Sequence, residues 1–170
     1  MANLEELTKK AEEMEKQLKE LKLEIERAKK DLELKCSYNY KDRYFFIDGE
    51  GVVGRSQWDN MDIDINRFSQ GNIFKTKEEA NLESERRTLL AKFREFRDER
   101  NEGWKPDWTD ANEAKWSAVL SAGKLEALSM YLNNGFDTFG HFKNQEDCQR
   151  AIEIFGKEII ELFVGCKNVQ

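Results

Sequence analysis

Apolar side chains recur at alternating spacings of three and four along the first 35 residues, and nearly every position between them is charged or polar. This heptad pattern is typical of a long helix with one narrow apolar stripe, which needs a second surface to cover it. We therefore predict a coiled-coil helix over residues 1–35. Its seam consists of Leu4, Leu7, Ala11, Met14, Leu18, Leu21, Ile25, Ala28 and Leu32.

The charges beside the seam favour the pairing of two copies. With Leu4 at position a, Lys10 faces Glu15 and Glu24 faces Lys29 across a parallel dimer, and these opposite charges attract. A helix that folds back onto its own domain, a frayed leader and a helix that pairs with another protein are the alternatives. We predict a homodimer whose contact residues are Leu4, Leu7, Met14, Leu18, Leu21, Ile25 and Leu32.

Residues 36–170 have a different pattern, in which short apolar runs and glycine-containing turns alternate with two longer amphipathic segments. Such a pattern predicts one α+β domain. In its first half we expect a hairpin at 44–47 and 52–58, a loop at 59–70, a short strand at 71–74 and a helix at 77–100. In its second half we expect a hairpin at 116–120 and 125–132, a short strand at 136–142 and a helix from 145 to about 163.

The two halves of the domain resemble each other around the start of each predicted helix. Phe74-Lys-Thr-Lys-Glu-Glu-Ala80 matches Phe142-Lys-Asn-Gln-Glu-Asp-Cys148 nearly position for position, although a strand followed by a capped helix is also a common arrangement. Thr76 and Glu79 have the spacing of a capping box. We interpret the domain as two β-β-β-α repeats, over about 42–102 and 114–166, that share one core.

The domain is acidic, because the chain has a net charge of −6 and the first 35 residues are nearly balanced. Phosphate binding depends on clustered Lys and Arg, so this balance disfavours direct nucleic-acid binding. An acidic surface suits a basic groove on another protein, although solubility alone also explains it. The predicted helix at 77–100 has five arginines, and acidic residues are interleaved with them. This pattern favours a salt-bridged surface over a nucleic-acid face.

The cysteines and the apolar runs indicate the cellular compartment of the protein. Cys36, Cys148 and Cys166 form no CxxC pair, which argues against a disulfide framework and against a zinc site. The N-terminus is charged throughout, and no apolar run approaches membrane-spanning length. We expect a cytoplasmic protein with reduced cysteines, no membrane contact and no cofactor.

Catalytic chemistry finds little support in the sequence. His141 is the only histidine, and we expect it to be a half-buried structural residue. Asp62, Asp64 and Asn66 have the spacing that opens an EF-hand loop, but Arg67 stands where that loop needs glycine. We predict that the protein is not an enzyme. A metal-dependent nuclease would draw its ligands from Asp48, Glu50, Asp59, Asp62 and Asp64.

Two groups of residues are candidates for contact with a partner protein. Asp59, Asp62 and Asp64 alternate with apolar residues in a predicted loop and present acidic groups to a basic groove. Trp104 and Trp108 flank the single proline in a polar segment, and tryptophan is frequent at binding hot spots. The alternatives are solvated acidic residues and tryptophans that cover the open end of the domain.

Several segments of the domain carry a resemblance to a known family: Tyr44-Phe-Phe-Ile47, Trp58-Asp59, Arg67, Gly71-Asn-Ile-Phe-Lys-Thr-Lys-Glu-Glu-Ala80 and Phe142-Lys-Asn-Gln-Glu-Asp147. In these segments, which span most of the domain, the chain resembles small accessory proteins encoded by phages and prophages of Gram-positive bacteria. The resemblance implies a phage origin and assigns no functional residues. Small, acidic, non-catalytic phage proteins often bind and block host proteins.

We therefore expect a non-enzymatic inhibitor of a host bacterial protein that acts in the host cytoplasm. A CRISPR-type effector or another defence nuclease complex is the leading target. A phage structural or assembly protein, a nucleic-acid-binding regulator and a metal-dependent nuclease are the alternatives.

Overall fold

The computed structural model describes residues 4–33, 36–132 and 137–165, with the side chains of 4–5 and 28–33 left out. The chain is α+β, with an N-terminal helix and two separate two-stranded antiparallel sheets, as its pattern predicts at this level. Its elements are α1 (Leu4–Glu33), β1 (Arg43–Ile47), β2 (Val53–Gln57), α2 (Asp62–Ser69), α3 (Lys77–Asn101), β3 (Lys115–Ser121), β4 (Lys124–Met130), α4 (Gln145–Ile159) and a π-helical turn (Ile160–Val164).

The domain leaves the seam of α1 uncovered. The large seam residues whose side chains are described, Leu7, Met14, Leu18, Leu21 and Ile25, are between 46% and 62% exposed. The side chains of Leu4 and Leu32 lie outside the described set. Among the described residues, nothing covers this stripe, which stays about half exposed over several turns.

Sheet A consists of β1 and β2, which pair antiparallel from Arg43↔Gln57 to Ile47↔Val53. Phe46 lies opposite Gly54, and a β-carbon on that glycine would lie 2.6 Å from the phenylalanine ring, so any larger residue there would force the ring to move.

The other edge of β1 is covered by the segment that precedes α3. Phe45 and Phe74 exchange two backbone hydrogen bonds of 2.9 Å, and the Asn72 side chain bonds both the N–H and the carbonyl oxygen of Ile47. The predicted strand at 71–74 is therefore reduced to one bridged residue, with an asparagine side chain replacing the backbone beside it.

The predicted loop at 59–70 contains α2, so that prediction is wrong over Asp62–Ser69. The carboxylate of Asp64 accepts a hydrogen bond from the Met61 N–H, which would otherwise be an unsatisfied donor at the helix start. Acidic residues in the first turn also interact favourably with the helix dipole.

The capping box that the sequence predicts is present at the start of α3. Thr76 Oγ1 accepts from the Glu79 N–H at 3.1 Å, and Glu79 Oε2 accepts from the Thr76 N–H at 3.2 Å. From this start, α3 packs against β1 and β2 and continues into contact with α4. It thus joins the two halves of the domain.

The main core lies between the second half of α3, sheet B and α4. Sheet B consists of β3 and β4, and Trp116 on β3 is bridged to Phe142 just as Phe45 is bridged to Phe74. The predicted strand at 136–142 is one bridged residue among the described positions. The buried residues of this core are Leu89, Phe93, Phe139, Phe142, Cys148, Ala151 and Ile159.

No helix among the described residues is both long enough and apolar enough to cross a membrane.

Candidate functional site

A buried polar network joins sheet A to α2. Asp64 is only 2% exposed, and its Oδ1 accepts a hydrogen bond of 2.6 Å from the Tyr44 hydroxyl. Its Oδ2 accepts from the backbone N–H groups of Asp59 and Met61 at 3.0 and 3.1 Å. Arg67 donates to the same Tyr44 hydroxyl at 3.0 Å. The carboxylate is therefore held by three donors inside the protein.

These donors decide the protonation state of Asp64. Burial by itself raises the pKa of its carboxyl, because the charged form loses water. The hydrogen bonds from Tyr44, Asp59 and Met61 and the positive charge of Arg67 outweigh this effect and hold the pKa below its ordinary value. Asp64 is thus a buried anion with a structural role, and its oxygens face no solvent.

The other two predicted acidic residues remain at the surface. Asp59 is exposed and accepts one hydrogen bond, 3.3 Å long, from the Gln57 side chain. Asp62 is exposed in the first turn of α2. Of the predicted acidic group, only Asp59 and Asp62 can therefore meet a partner without a local rearrangement.

The tryptophan-containing segment folds around a buried lysine that the sequence did not single out. Lys115 is fully buried, and its Nζ donates to the carbonyl oxygens of Asp110 and Glu113, each at 2.9 Å. The Glu113 carboxylate lies 3.3 Å from the same Nζ, and the Trp108 ring centroid lies 5.5 Å from it. These contacts neutralise and solvate the buried ammonium group, as a buried charge requires.

Glu113 also fixes the other tryptophan. Its Oε1 accepts from Trp104 Nε1 at 2.8 Å, and its Oε2 accepts from the Asp107 N–H at 2.9 Å. These hydrogen bonds, foremost the one from Trp104, lower the pKa of Glu113. Both tryptophans are half-buried, so each ring has one packed face and one accessible part.

A cleft of about 460 Å³ opens beside Trp104, between the end of α3 and the segment around His141. Its wall carries the guanidinium of Arg97, the amide of Asn101 and the side chain of Lys105. Asn101 is buried and bonds the His141 carbonyl oxygen and the Lys143 N–H, at 2.8 and 3.0 Å.

His141 is half-buried, as the sequence analysis expects. Its ring meets the edge of Trp108 at a centroid distance of 4.8 Å, and its Nε2 is buried without a hydrogen-bond partner among the described residues. Burial lowers the pKa of His141, and the Arg97 charge lowers it further against the opposing effect of Asp137. The net effect favours the neutral form of the imidazole.

The five arginines of α3 all have partners inside the protein. Arg86, Arg94 and Arg97 donate to the carbonyl oxygens of residues 162, 138 and 139. Arg87 pairs with Glu83 at 2.9 Å, and Arg100 lies 4.0 Å from the Asp147 carboxylate. Four of these arginines therefore hold the C-terminal half of the domain, while Arg87 pairs within α3.

The structure places the two groups of predicted partner-binding residues at opposite ends of α3. Tyr44, which donates a hydrogen bond to Asp64, comes directly before Phe45. Phe45 is in turn bridged to Phe74, which lies just before the start of α3. Trp104 follows its last turn and donates its backbone N–H to Asn101. A helix of 25 residues is about 37 Å long. The acidic residues and the tryptophans therefore do not form one continuous site.

Among the described residues, no three His, Cys, Asp or Glu side chains are grouped closely enough to hold a metal ion. Two of the carboxylates considered as ligands have other roles. Asp48 Oδ1 accepts from the backbone N–H groups of Glu50 and Val52 in the hairpin turn, each at 2.9 Å, and Asp64 is in the network described above.

Comparisons with protein-family models, with curated proteins and with solved structures gave no match.

Proposed function

We propose that the protein is a phage-encoded, non-enzymatic binding protein that forms a homodimer through α1 and inhibits a host bacterial protein in the cytoplasm. The leading target is a CRISPR-type or other defence nuclease complex. The observation that carries the proposal is the uncovered seam of α1, whose described large residues are about half exposed. The phage setting and the class of target rest on the sequence resemblance.

A parallel coiled coil is the arrangement that the charges favour. A second copy would cover the seam and bring Lys10 near Glu15 of the other helix, as attraction across the dimer requires. Two linked copies of one binding surface raise avidity by orders of magnitude without any new contact, provided that both can engage the target. The dimer would therefore strengthen a weak contact made by each domain.

Two surfaces of the domain would meet the target. Asp59 and Asp62 keep exposed carboxylates and suit a basic nucleic-acid-binding groove. Trp104 and Trp108 are held in place by Glu113 and Lys115, and rigid aromatic side chains lose little entropy on binding. Because these surfaces lie at opposite ends of α3, they would contact different parts of a large target.

We also infer that the domain arose by duplication of a β-β-β-α unit. The matching Phe74 and Phe142 each pair with the first strand of a hairpin, two residues before a helix N-cap. Four residues into each helix, Ala80 and Cys148 are both fully buried. A shared hydrogen-bond pattern with a shared buried position supports duplication more than either feature alone.

Two other functions remain alternatives to the proposal. A nucleic-acid-binding regulator would need free cations, and the internal partners of the α3 arginines weigh against it. A phage assembly protein would use the same coiled coil, but it would co-purify with virions and would have no host target.

The oligomeric state tests whether the protein forms a homodimer through α1. Analytical ultracentrifugation of the 20.0 kDa chain should give a mass of about twice that value. Leu18→Lys places a charge in the seam and should give a monomer. Leu23→Lys is the matched control, because Leu23 is 53% exposed against 52% for Leu18 but lies outside the seam. A monomeric wild-type protein would refute the dimer.

Phage plating tests whether the protein inhibits a host defence complex. In a CRISPR-immune host, expression of the chain should raise the plating efficiency of a targeted phage by orders of magnitude, and Leu18→Lys should reduce that effect. Unchanged plating would contradict a CRISPR target. Recovery of the chain in virions, or binding to DNA or RNA that weakens steeply with salt, would favour the alternatives.

A further inference from the structure

Four positions of the short helix α2 depart from the usual distribution of polar and apolar residues. A surface helix normally turns its apolar side chains inward and its charged ones outward. In α2 the buried side chain is Asp64, and Arg67 lies 3.5 Å above the Phe46 ring. The isoleucines on either side, Ile63 and Ile65, are instead 53% and 51% exposed.

Helix α2 is anchored both at its start and along its inner face. Its N-terminal turn is fixed by the Asp64 carboxylate, which is bonded to Tyr44 and to two backbone N–H groups. On its inner face, Phe68 packs edge-on against the buried Trp58 at a centroid distance of 6.3 Å. A surface that is ordered before binding loses less conformational entropy when a partner arrives.

The helical period places the exposed residues around a ridge. At 3.6 residues per turn, Ile63 and Ile65 fall on opposite flanks of α2, with Asp62 and Asn66 on the crest between them. Met61, one turn before Ile65, is 60% exposed and extends that flank. The ridge therefore has apolar sides and an acidic crest.

The charge on the ridge has no cation opposite it. Neither Asp59 nor Asp62 forms a salt bridge with any described residue. Arg67, the arginine of α2, donates to the Tyr44 hydroxyl. The chain as a whole carries a net charge of −6. A surface that is apolar on its flanks and anionic on its crest is complementary to a groove with apolar walls and a cationic floor.

We propose that α2 is the element that docks into a target protein, in a groove whose walls are apolar and whose floor carries Lys or Arg. The inference deepens the proposed function and rests on its premise that the protein binds another protein. It assigns the affinity chiefly to Met61, Ile63 and Ile65 and the charge selectivity to Asp62. Asp64 acts as a positioning residue.

Synthetic helical peptides that present the apolar and cationic groups of such a groove test this chemistry on the full-length protein. One peptide carries a leucine stripe with lysines, a second carries the same stripe with glutamates, and a third carries serines and lysines without the stripe. Titration calorimetry gives the affinities, and hydrogen–deuterium exchange locates the contact. We expect the leucine–lysine peptide to bind at least about tenfold more tightly than either control, with protection centred on residues 59–69.

Substitutions on the ridge complete the test. The double variant Ile63→Ser, Ile65→Ser should bind the leucine–lysine peptide with an affinity lower by roughly tenfold or more, because apolar contact is lost on both flanks. Ile154→Ser on α4 is the matched control, since Ile154 is 45% exposed, and it should leave the affinity unchanged. Asp62→Asn should reduce the preference for lysine over glutamate. The substituted side chains are exposed, so the fold should survive, which circular dichroism checks.

Several results would overturn the inference. The first is protection from hydrogen–deuterium exchange at α1 or elsewhere in place of α2. The others are a glutamate peptide that binds as tightly as the leucine–lysine peptide, and a double isoleucine variant that binds the latter with unchanged affinity. Protection of α2 that grows with protein concentration in the absence of peptide would mean that a second copy covers it.

The peptide assay needs no phage and no dimer, so it can fail independently of the proposed function. If the peptide binds α2 while plating is unaffected by the wild-type chain, the CRISPR target of the proposed function fails and the docking helix stands. If the wild-type chain protects phage and the double isoleucine variant protects it equally well, the docking helix fails and the proposed function stands.

Discussion

Replacement of Tyr44 by phenylalanine removes one oxygen atom from the buried network between sheet A and α2. Tyr44 is fully buried, donates to Asp64 Oδ1 at 2.6 Å and accepts from Arg67 at 3.0 Å. Phenylalanine keeps the ring and its packing. It leaves one carboxylate oxygen and one guanidinium N–H without their partner.

The cost follows from the kind of hydrogen bond that is lost. A hydrogen bond to a charged group contributes about 1.5–3 kcal/mol to stability. Asp64 would keep its two backbone donors, so we expect Tyr44→Phe to lower the free energy of unfolding by about 2 kcal/mol. For a chain of this length the melting temperature should fall by roughly 4–8 °C.

Urea unfolding followed by circular dichroism at pH 7 measures this difference. Tyr40→Phe is the matched control, because Tyr40 is 62% exposed and the same atom is removed at the surface. The control should change the free energy of unfolding by less than about 0.5 kcal/mol. A loss for Tyr44→Phe no larger than that of the control would refute the structural role of the network.

The pH dependence gives a second check on the same variant. The pKa of Asp64 is lower in the folded protein than its ordinary value, so the ionised carboxylate stabilises the fold above the unfolded pKa, near 3.9. This contribution is lost as the pH falls through the lower folded pKa. The difference between wild type and Tyr44→Phe should therefore be full at pH 6–7 and shrink below about pH 4. A difference that stays constant into acid would contradict the assignment of a buried anion.

Three further predictions concern the second half of the domain. Lys115→Met should destabilise the protein by about 2 kcal/mol and shift tryptophan emission to longer wavelength, because the segment around the buried ammonium loses its anchor. Burial raises the pKa of Cys148 to about 12, so in a Cys166→Ser background a maleimide at pH 8 should label Cys36 and spare Cys148 until the protein unfolds. Gly140→Ala should cost about 2 kcal/mol in urea unfolding, because Gly140 has a φ of +78° and a β-carbon there would collide with an arginine of α3.

The elements that the sequence predicts well are those whose signals are local. The heptad spacing specifies the helix that the structure has at Leu4–Glu33, since a period of 3.5 is consistent only with a helix. Thr76 and Glu79 specify the start of α3 because each bonds the backbone of the other within one turn. The hairpins at β1–β2 and β3–β4 follow from short apolar runs on either side of turn residues.

The sequence could not predict the states of the polar residues at the candidate sites. Asp64 belongs to an alternating segment that has no helical period, and its buried carboxylate is held in part by Tyr44, which lies twenty residues earlier in the chain. Lys115 has the pattern of an ordinary strand residue, yet the carbonyl oxygens of Asp110 and Glu113 enclose it. Both outcomes depend on desolvation and on hydrogen bonds between groups that folding brings together.

The sequence by itself therefore determined the three long helices α1, α3 and α4, the hairpins and the acidic balance, because period, caps and turn residues act over a few positions. Only the tertiary structure decided which charges are buried and which apolar residues stay exposed on α2. Burying a charge depends on hydrogen-bond partners that only the folded backbone aims at it, and the pattern of polar and apolar positions does not specify them.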